Sequence, residues 1–135
     1  KKVAMSLSDL FCVERHKQSF LNLVKKKLDL TFANENEIMS LINAKNFDEV
    51  IVFAKEINKH IVITRGQKGA ISIIGNEITE IEASKNLSIK DLTGAGDLFA
   101  AGYLHSFINN LSTRNSLEQG TKLASKVIQQ IGARL

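Results

Sequence analysis

The sequence lacks several residue types that mark particular classes of protein. Its 135 residues include no proline, no tryptophan, one cysteine (Cys12) and three scattered histidines (His16, His60 and His105). A single cysteine excludes an internal disulfide framework and suits a reducing compartment. The histidines show no zinc-ligand spacing, and without proline no segment resembles a stiff linker.

Long apolar runs and concentrated charge are also missing. No run approaches the ~20 residues of a membrane helix, and no signal-peptide pattern opens the chain. We therefore expect a cytoplasmic location and no membrane partner. The net charge is +4, and the only run of lysines is 25–27. With seven Phe and one Tyr, a solvated helix face is favoured over a nucleic-acid-binding patch.

The composition is that of one globular domain, with 44% hydrophobic and 24% charged residues. Both ends of the chain are unusual, because Lys1 leads directly into an apolar strand-like run and Leu135 directly follows an apolar helix-like stretch. Domains usually have polar, loosely held ends. We therefore expect this chain to be a piece of a longer polypeptide.

Hydrophobic periodicity predicts alternating strands and helices. Strands are predicted at 3–7, 29–32, 60–64, 70–74 and 77–81, and helices at 13–27, from Asn34, at 47–57, 98–111 and 113–131. The helix at 98–111 is apolar nearly all round and is therefore predicted to be buried. One stripe is formed by Ala100, Leu104, Phe107, Ile108 and Leu111, and Phe99 and Tyr103 lie beside it. The alternation predicts an α/β architecture with a mostly parallel sheet.

Residues 91–97, D-L-T-G-A-G-D, carry the strongest chemical signal. Gly94 and Gly96 fall where a helix starts, although glycine in a helix costs about 1 kcal/mol relative to alanine. Bare N–H groups at a helix start favour an anion, and Asp97 could accept a proton beside it, as phosphoryl transfer requires. An equally weighted alternative is a helix that Thr93 caps, in which the glycines allow tight packing and the Asp97 carboxylate is stabilised by the helix dipole.

Two familiar nucleotide motifs do not explain this loop. No G-x-x-x-x-G-K-[ST] occurs, which excludes a P-loop. G-x-G-x-x-G fails because Phe99 stands at the third glycine position. A dinucleotide-binding oxidoreductase also needs a ribose-binding acid about 20 residues later, at the end of a second strand, and the sequence has no such strand there.

Residues 91–97, followed by L-F-A-A-G-Y-L, resemble the D-x-x-G-A-G-D signature of the ribokinase-like (phosphofructokinase-B type) carbohydrate kinases. The resemblance implies that Asp97 is the catalytic base. It also implies that the N–H groups of Gly94, Ala95 and Gly96 form the anion hole for the transferred phosphoryl group.

Two weaker motifs follow the order of the same family. Asn34 and Glu37 match N-x-x-E, which implies a role in organising magnesium and phosphate waters; on the residues alone a capping box is favoured, and both can hold together. Thr64, Gly66 and Gly69 match T-x-G-x-x-G, which implies contact with ATP. The alternative is an ordinary turn whose glycines adopt positive φ.

The resemblance assigns further residues near the end of the family pattern. Asp91 and Thr93 match positions that help to hold a monovalent cation, K⁺, in some relatives. Residues 124–133, including Gly132, resemble the late helix that lines the adenine pocket.

The family implies a ribokinase-like three-layer sandwich, of which residues 1–135 would be the C-terminal, ATP-binding part. ATP and Mg²⁺ are the implied cofactors, a sugar or nucleoside the implied substrate, and a homodimer through the lid region the implied assembly. The opening L-S-D and the later T-F-A-N-E-N-E resemble the adenosine-kinase-like branch. The N-terminal lid and substrate motif are not in this sequence, so we expect these residues alone to be inactive. A non-catalytic nucleotide-binding fragment or module is the alternative.

Overall fold

The computed structural model describes all 135 residues. No helix is both long and apolar enough to cross a bilayer. Five strands and six α-helices follow one another along the chain, with a short 3₁₀ turn at Gly66–Lys68: β1 (Ala4–Ser6), α1 (Leu10–Arg15), α2 (Lys17–Lys26), β2 (Leu30–Asn34), α3 (Glu35–Ile42), α4 (Phe47–Ile57), β3 (His60–Thr64), β4 (Ala70–Ile74), β5 (Glu77–Ile81), α5 (Ala95–Ile108) and α6 (Thr113–Val127).

The strands form one sheet in the order β1-β2-β3-β4-β5. β1 pairs with β2 and β2 with β3 in parallel, and the β2–β3 register places Asn34 opposite Thr64. β4 and β5 are neighbours joined by two residues, a connection too short for a crossover, so this pair is antiparallel. The predicted α/β class with a mostly parallel sheet is confirmed.

The chain divides into two compact units. The first comprises Lys1–Thr64 and Ser72–Ile78, and the second comprises Arg65–Ile71 and Thr79–Leu135. Strand β3 is buried along His60–Ile63, as expected for a β-branched strand within a parallel sheet. The core of the first unit is completed by buried apolar side chains from its helices and loops: Leu7, Val13, Val24, Leu28, Ile38, Leu41, Val50 and Ala54.

The second unit is built on the packing of α5 against α6. A Cβ atom on Gly102 would lie 2.7 Å from the Gln119 carbonyl oxygen, and one on Gly120 would lie 2.7 Å from the Phe99 carbonyl oxygen. No side chain fits at either glycine without movement of the backbone. The two helices therefore cross at a distance that only glycine allows.

The predicted helix at 13–27 is wrong, because the structure has two helices there. α1 begins at Leu10, where the Asp9 carboxylate caps it by accepting the Cys12 N–H at 2.8 Å. His16, with φ −121° and ψ 29°, interrupts the helical backbone before α2. Periodicity alone carried no sign of this break.

The prediction for α5 is also partly wrong. The helix spans Ala95–Ile108 rather than 98–111, and its buried residues include Phe99, Gly102, Tyr103 and Ser106. Ile108, in the predicted stripe, is 70% exposed. Because α5 is apolar on all sides, periodicity could not identify the buried face; the close approach at Gly102 determines it. α6 ends at Val127, short of the predicted 131.

Candidate active site

Gly94 is the N-cap of α5 and has a left-handed backbone, with φ 78° and ψ 0°. A Cβ atom here would lie 2.7 Å from the Ala133 Cβ, so both the conformation and the packing require glycine. The alternative of a cap by Thr93 is wrong, since no side chain caps this helix. The Thr93 hydroxyl donates instead to the Asp91 carboxylate at 2.6 Å.

The first turn of α5 presents unpaired backbone donors. The N–H groups of Gly94, Gly96 and Asp97 donate to no group of the chain, whereas the Ala95 N–H donates to the Leu92 carbonyl at 3.2 Å. A Cβ atom on Gly96 would meet nothing within 4 Å, so no packing within the chain explains this glycine. Unpaired donors at the positive end of a helix dipole form an anion site.

Asp97 is the third residue of α5, in the same turn as the unpaired donors, and it is exposed. Its carboxylate is available to a molecule in solution, and any anion held by the first turn would lie near it. A proton acceptor beside an anion site is the arrangement that phosphoryl transfer to a hydroxyl requires.

The Asp91 carboxylate is engaged by three donors. Its Oδ1 accepts the Thr93 N–H at 2.9 Å and the Thr93 hydroxyl at 2.6 Å, and its Oδ2 accepts the Gly132 N–H at 3.0 Å. These bonds, the Thr93 hydroxyl first, lower the pKa of Asp91 to about 2. A carboxylate has about four lone-pair positions, so Asp91, which accepts three hydrogen bonds, retains about one lone pair for a cation. The Thr93 hydroxyl oxygen could supply a second oxygen ligand.

Asn34 and Glu37 form a complete capping box at the start of α3. The Asn34 Oδ1 accepts the Glu37 N–H at 2.8 Å, and the Glu37 carboxylate accepts the Asn34 N–H at 2.9 Å and its side-chain N–H at 2.8 Å. The capping interpretation is therefore confirmed. Glu37 is only 6% exposed; burial raises its pKa, the Asn34 N–H opposes this, and the charge of Asp9 adds to it.

The capping bonds leave Glu37 some capacity for magnesium. Each of its carboxylate oxygens accepts one hydrogen bond, which leaves about one lone pair on each. Mg²⁺ in phosphate sites is usually held by one or two carboxylates together with waters and substrate phosphates. Asn34 and Glu37 therefore fit a role in orienting magnesium-bound waters. The structure contains no cluster of three or more His, Cys, Asp or Glu residues arranged as a metal cage.

The first unit brings three of the predicted site residues together. Asn34 and Thr64 are paired at the carboxyl ends of the parallel strands β2 and β3, and Glu37 is bonded to Asn34. The carboxyl ends of parallel strands are where α/β sheets bind ligands.

The second unit holds the remaining predicted residues. Gly66 (φ 57°) and Gly132 (φ 93°) have left-handed backbones and open space where a Cβ would point. Gly69 (φ 95°) differs, because a Cβ there would clash with the Ile81 carbonyl. Packing within the chain thus explains Gly69, whereas nothing in the chain fills the space where a Cβ of Gly66 or Gly132 would lie.

Sequence reasoning missed two relationships in these sites. Asp9, which follows β1, raises the pKa of Glu37 by its charge; its position just after a strand was the available signal. The bond between Asp91 and Gly132 joins residues 41 apart, and nothing in the local sequence of either residue indicated it.

Comparison with known proteins identifies the family. The pfkB family carbohydrate kinase model matches residues 3–135. The chain belongs to the pfkB family of carbohydrate kinases.

Solved structures of related kinases share the fold closely. A probable sugar kinase from Rhizobium etli CFN 42 is 36% identical with a TM-score of 0.95, over 99% of this chain and 41% of that protein. The adenosine kinase from Sinorhizobium meliloti is 34% identical with a TM-score of 0.95, over 100% of this chain and 42% of that protein. The predicted ribokinase-like fold is confirmed.

The curated relatives are also kinases. The ribokinase of Lactococcus lactis is 28% identical over 106 residues, which are 78% of this chain and 34% of that protein. The cytidine kinase of Thermococcus kodakarensis is 27% identical over 136 residues, 98% of this chain and 49% of that protein. The chain thus spans less than half the length of these relatives, which act on sugars or nucleosides.

Proposed function

We propose that this chain is the ATP-binding and catalytic part of a kinase that phosphorylates a hydroxyl group of a sugar or nucleoside. The first turn of α5 carries the proposal, because it combines unpaired N–H groups with the exposed carboxylate of Asp97. Membership of the pfkB family supports the same reaction class.

In this proposal Asp97 takes the proton from the substrate hydroxyl as its oxygen attacks the γ-phosphorus of ATP. The new O–P bond forms while the bond to ADP breaks, and negative charge on the transferred group is met by the N–H groups of Gly94 and Gly96. The Ala95 N–H joins them only if it releases the Leu92 carbonyl. One such donor contributes about 3–4 kcal/mol, and a general base about 10²–10⁴ in rate.

The remaining site residues are assigned to ATP and its ions. We assign Gly66, Gly69 and Gly132 of the second unit to ATP binding, and we make the same assignment for Thr64 of the first unit. Asn34 and Glu37 would orient the waters of a magnesium ion, which would neutralise negative charge on the phosphates.

The most specific form of the proposal concerns the substrate and the whole polypeptide. The 34% identity with the Sinorhizobium meliloti adenosine kinase favours a ribose-containing, adenosine-like acceptor. Because the chain covers 41% and 42% of the two related structures, we propose that it belongs to a longer polypeptide. We also propose, from the family resemblance alone, that it is the C-terminal part of a cytoplasmic kinase that pairs as a homodimer. Turnover is then expected from the longer polypeptide and not from these residues alone.

Substitution Asp97→Asn tests the proposal in a polypeptide of the relatives' length. ADP formation would be measured with ATP, Mg²⁺ and a panel of nucleosides and sugars, and ATP affinity by calorimetry. We expect kcat to fall by about 10²–10⁴ while ATP affinity is retained, because the amide keeps the shape and loses the basicity.

The matched control is Asp48→Asn, which removes an exposed acid from the first turn of α4. It should leave turnover unchanged. Normal turnover in Asp97→Asn would contradict the assignment of the base. If the parent polypeptide binds ATP and transfers phosphate to no member of the panel, the alternative of a non-catalytic nucleotide-binding module is favoured.

A further inference from the structure

The Asp91 carboxylate joins two segments of the second unit. It accepts the N–H and hydroxyl of Thr93 on the loop before α5, and the N–H of Gly132 beyond α6. Hydrogen bonds to an ionised acceptor are roughly twice as strong as neutral ones. We call this set of three bonds the Asp91 clip.

Two further contacts act beside the clip. The Ile128 carbonyl accepts the N–H groups of Lys90 and Asp91, at 2.7 Å and 3.3 Å. Gly94 lies against Ala133 so closely that a Cβ atom would come within 2.7 Å of the Ala133 side chain. Gly94, whose N–H is the first of the unpaired donors, is therefore held by the segment that follows α6.

We propose that Asp91 is a positioning residue for phosphoryl transfer: through Thr93 and Gly132 it holds the start of α5 in the one arrangement that aims the Gly94 and Gly96 N–H groups at the transferred phosphoryl group. This inference rests on the proposed function. Its physical basis is that a displacement of about 1 Å at a reacting group can lower the reaction rate by a factor of about 10².

The sign of the expected effect separates positioning from simple electrostatics. A negative charge near an anion site repels the anion, so neutralising Asp91 would strengthen ATP binding if charge alone mattered. Loss of the clip has the opposite consequence. In Asp91→Asn an amide N–H₂ would face either Thr93 or the Gly132 N–H, so at least one donor loses its acceptor.

The test compares ATP with ADP, which lacks the γ-phosphoryl group, by calorimetry in the presence of Mg²⁺. In Asp91→Asn we expect ATP affinity to fall about tenfold and ADP affinity to change little. The control Glu80→Gln removes an exposed carboxylate from β5 of the same unit. It should leave the ratio of ATP affinity to ADP affinity unchanged. An unchanged or tighter ATP affinity in Asp91→Asn would overturn the proposal, and an equal loss for both nucleotides would show a merely structural role.

Two further measurements keep the proposal decidable. If Asp91→Asn does not fold, Thr93→Val is used instead, because it removes only the hydrogen bond from the Thr93 hydroxyl to Asp91. This variant should also lower the ratio of ATP affinity to ADP affinity, and an unaltered ratio would refute the positioning role. These measurements use a polypeptide of the relatives' length, and if its wild-type form binds no ATP, the proposed function is refuted. The amide chemical shifts of Gly94, Gly96 and Gly132 then test whether the Asp91 clip holds the start of α5. These shifts should change in Asp91→Asn and stay the same in Glu80→Gln.

Discussion

At the scale of single residues, glycine occupies the two positions at the start of α5 for different reasons. Gly94 is explained within the chain by its left-handed backbone and by Ala133. Gly96 has no such explanation, because the space beside it is open. A helical glycine that no packing requires indicates close approach by something outside the chain.

Substitution Gly96→Ala should separate stability from function. We expect the free energy of unfolding to rise by about 1 kcal/mol, since alanine favours the helix, while phosphoryl transfer falls because the new methyl group covers the N–H donors. Urea unfolding and ADP formation measure the two effects. Gly94→Ala, the companion variant, should lose stability as well as activity. Full transfer by a stabilised Gly96→Ala would contradict a phosphoryl site at this turn.

The charged residues of the candidate sites were less predictable than the glycines. The residues alone indicated the capping role of the Asn34–Glu37 pair, which is confirmed. The magnesium role was implied by the family resemblance and stays a prediction. That Glu37 is buried depends on how α3 packs, which local sequence does not encode. The assignment of Asp97, Gly94, Ala95 and Gly96 to catalysis stays a prediction, and the paired Ala95 N–H is a detail that no motif conveys.

At the scale of elements, helices and strands were predicted best where apolar and polar positions alternate clearly along the sequence. Helix α4 and strands β3, β4 and β5 have the predicted bounds, because turn residues and clear periodicity frame them. The interruption at His16 and the buried face of α5 could not be predicted. The first depends on a single backbone conformation, and the second on a helix crossing set by Gly102 and Gly120.

The crossing of α5 and α6 also contains a testable pair of serines. The Ser106 hydroxyl is buried without a hydrogen-bond partner, whereas the Ser116 hydroxyl, also buried, donates to the Ser112 carbonyl at 3.1 Å. Leaving a buried polar group unsatisfied costs about 1–3 kcal/mol. Ser106→Ala should therefore raise the free energy of unfolding by about 1 kcal/mol, as measured in urea.

Ser116→Ala is the matched comparison for Ser106→Ala. It removes a satisfied hydroxyl on the partner helix, so we expect a loss of about 0.5–1.5 kcal/mol. A destabilising effect of Ser106→Ala would mean that the Ser106 hydroxyl does have a partner in solution.

At the scale of the whole molecule, stability should depend on pH through His60. This side chain is buried and its Nε2 lies 3.0 Å from the Ser72 hydroxyl. Burial, aided by the charge of Lys2, lowers the pKa of His60 to about 4. An unfolded histidine titrates near 6.5, so between these values the unfolded chain binds the proton and the folded chain does not.

The sign follows from proton linkage. Stability is independent of His60 above about pH 6.5 and falls as the pH drops towards 4, by at most about 3 kcal/mol in total. Urea unfolding at several pH values measures it. His60→Gln should flatten the dependence in this window, and the control His105→Gln, at an exposed position, should not. An equally steep dependence in His60→Gln would rule out this histidine as the cause.

The Asp91 clip also sets an order in time. Chains are synthesised from the N-terminus, and their parts fold as they emerge. The residues proposed for the phosphoryl site, from Asp91 to Asp97, leave the ribosome before Gly132 does, because the acceptor and donor of the clip are 41 residues apart. Until Gly132 has emerged and α6 has docked on α5, the loop before α5 lacks its anchor. A nascent chain therefore carries every residue of the proposed phosphoryl site before the clip can fix their geometry.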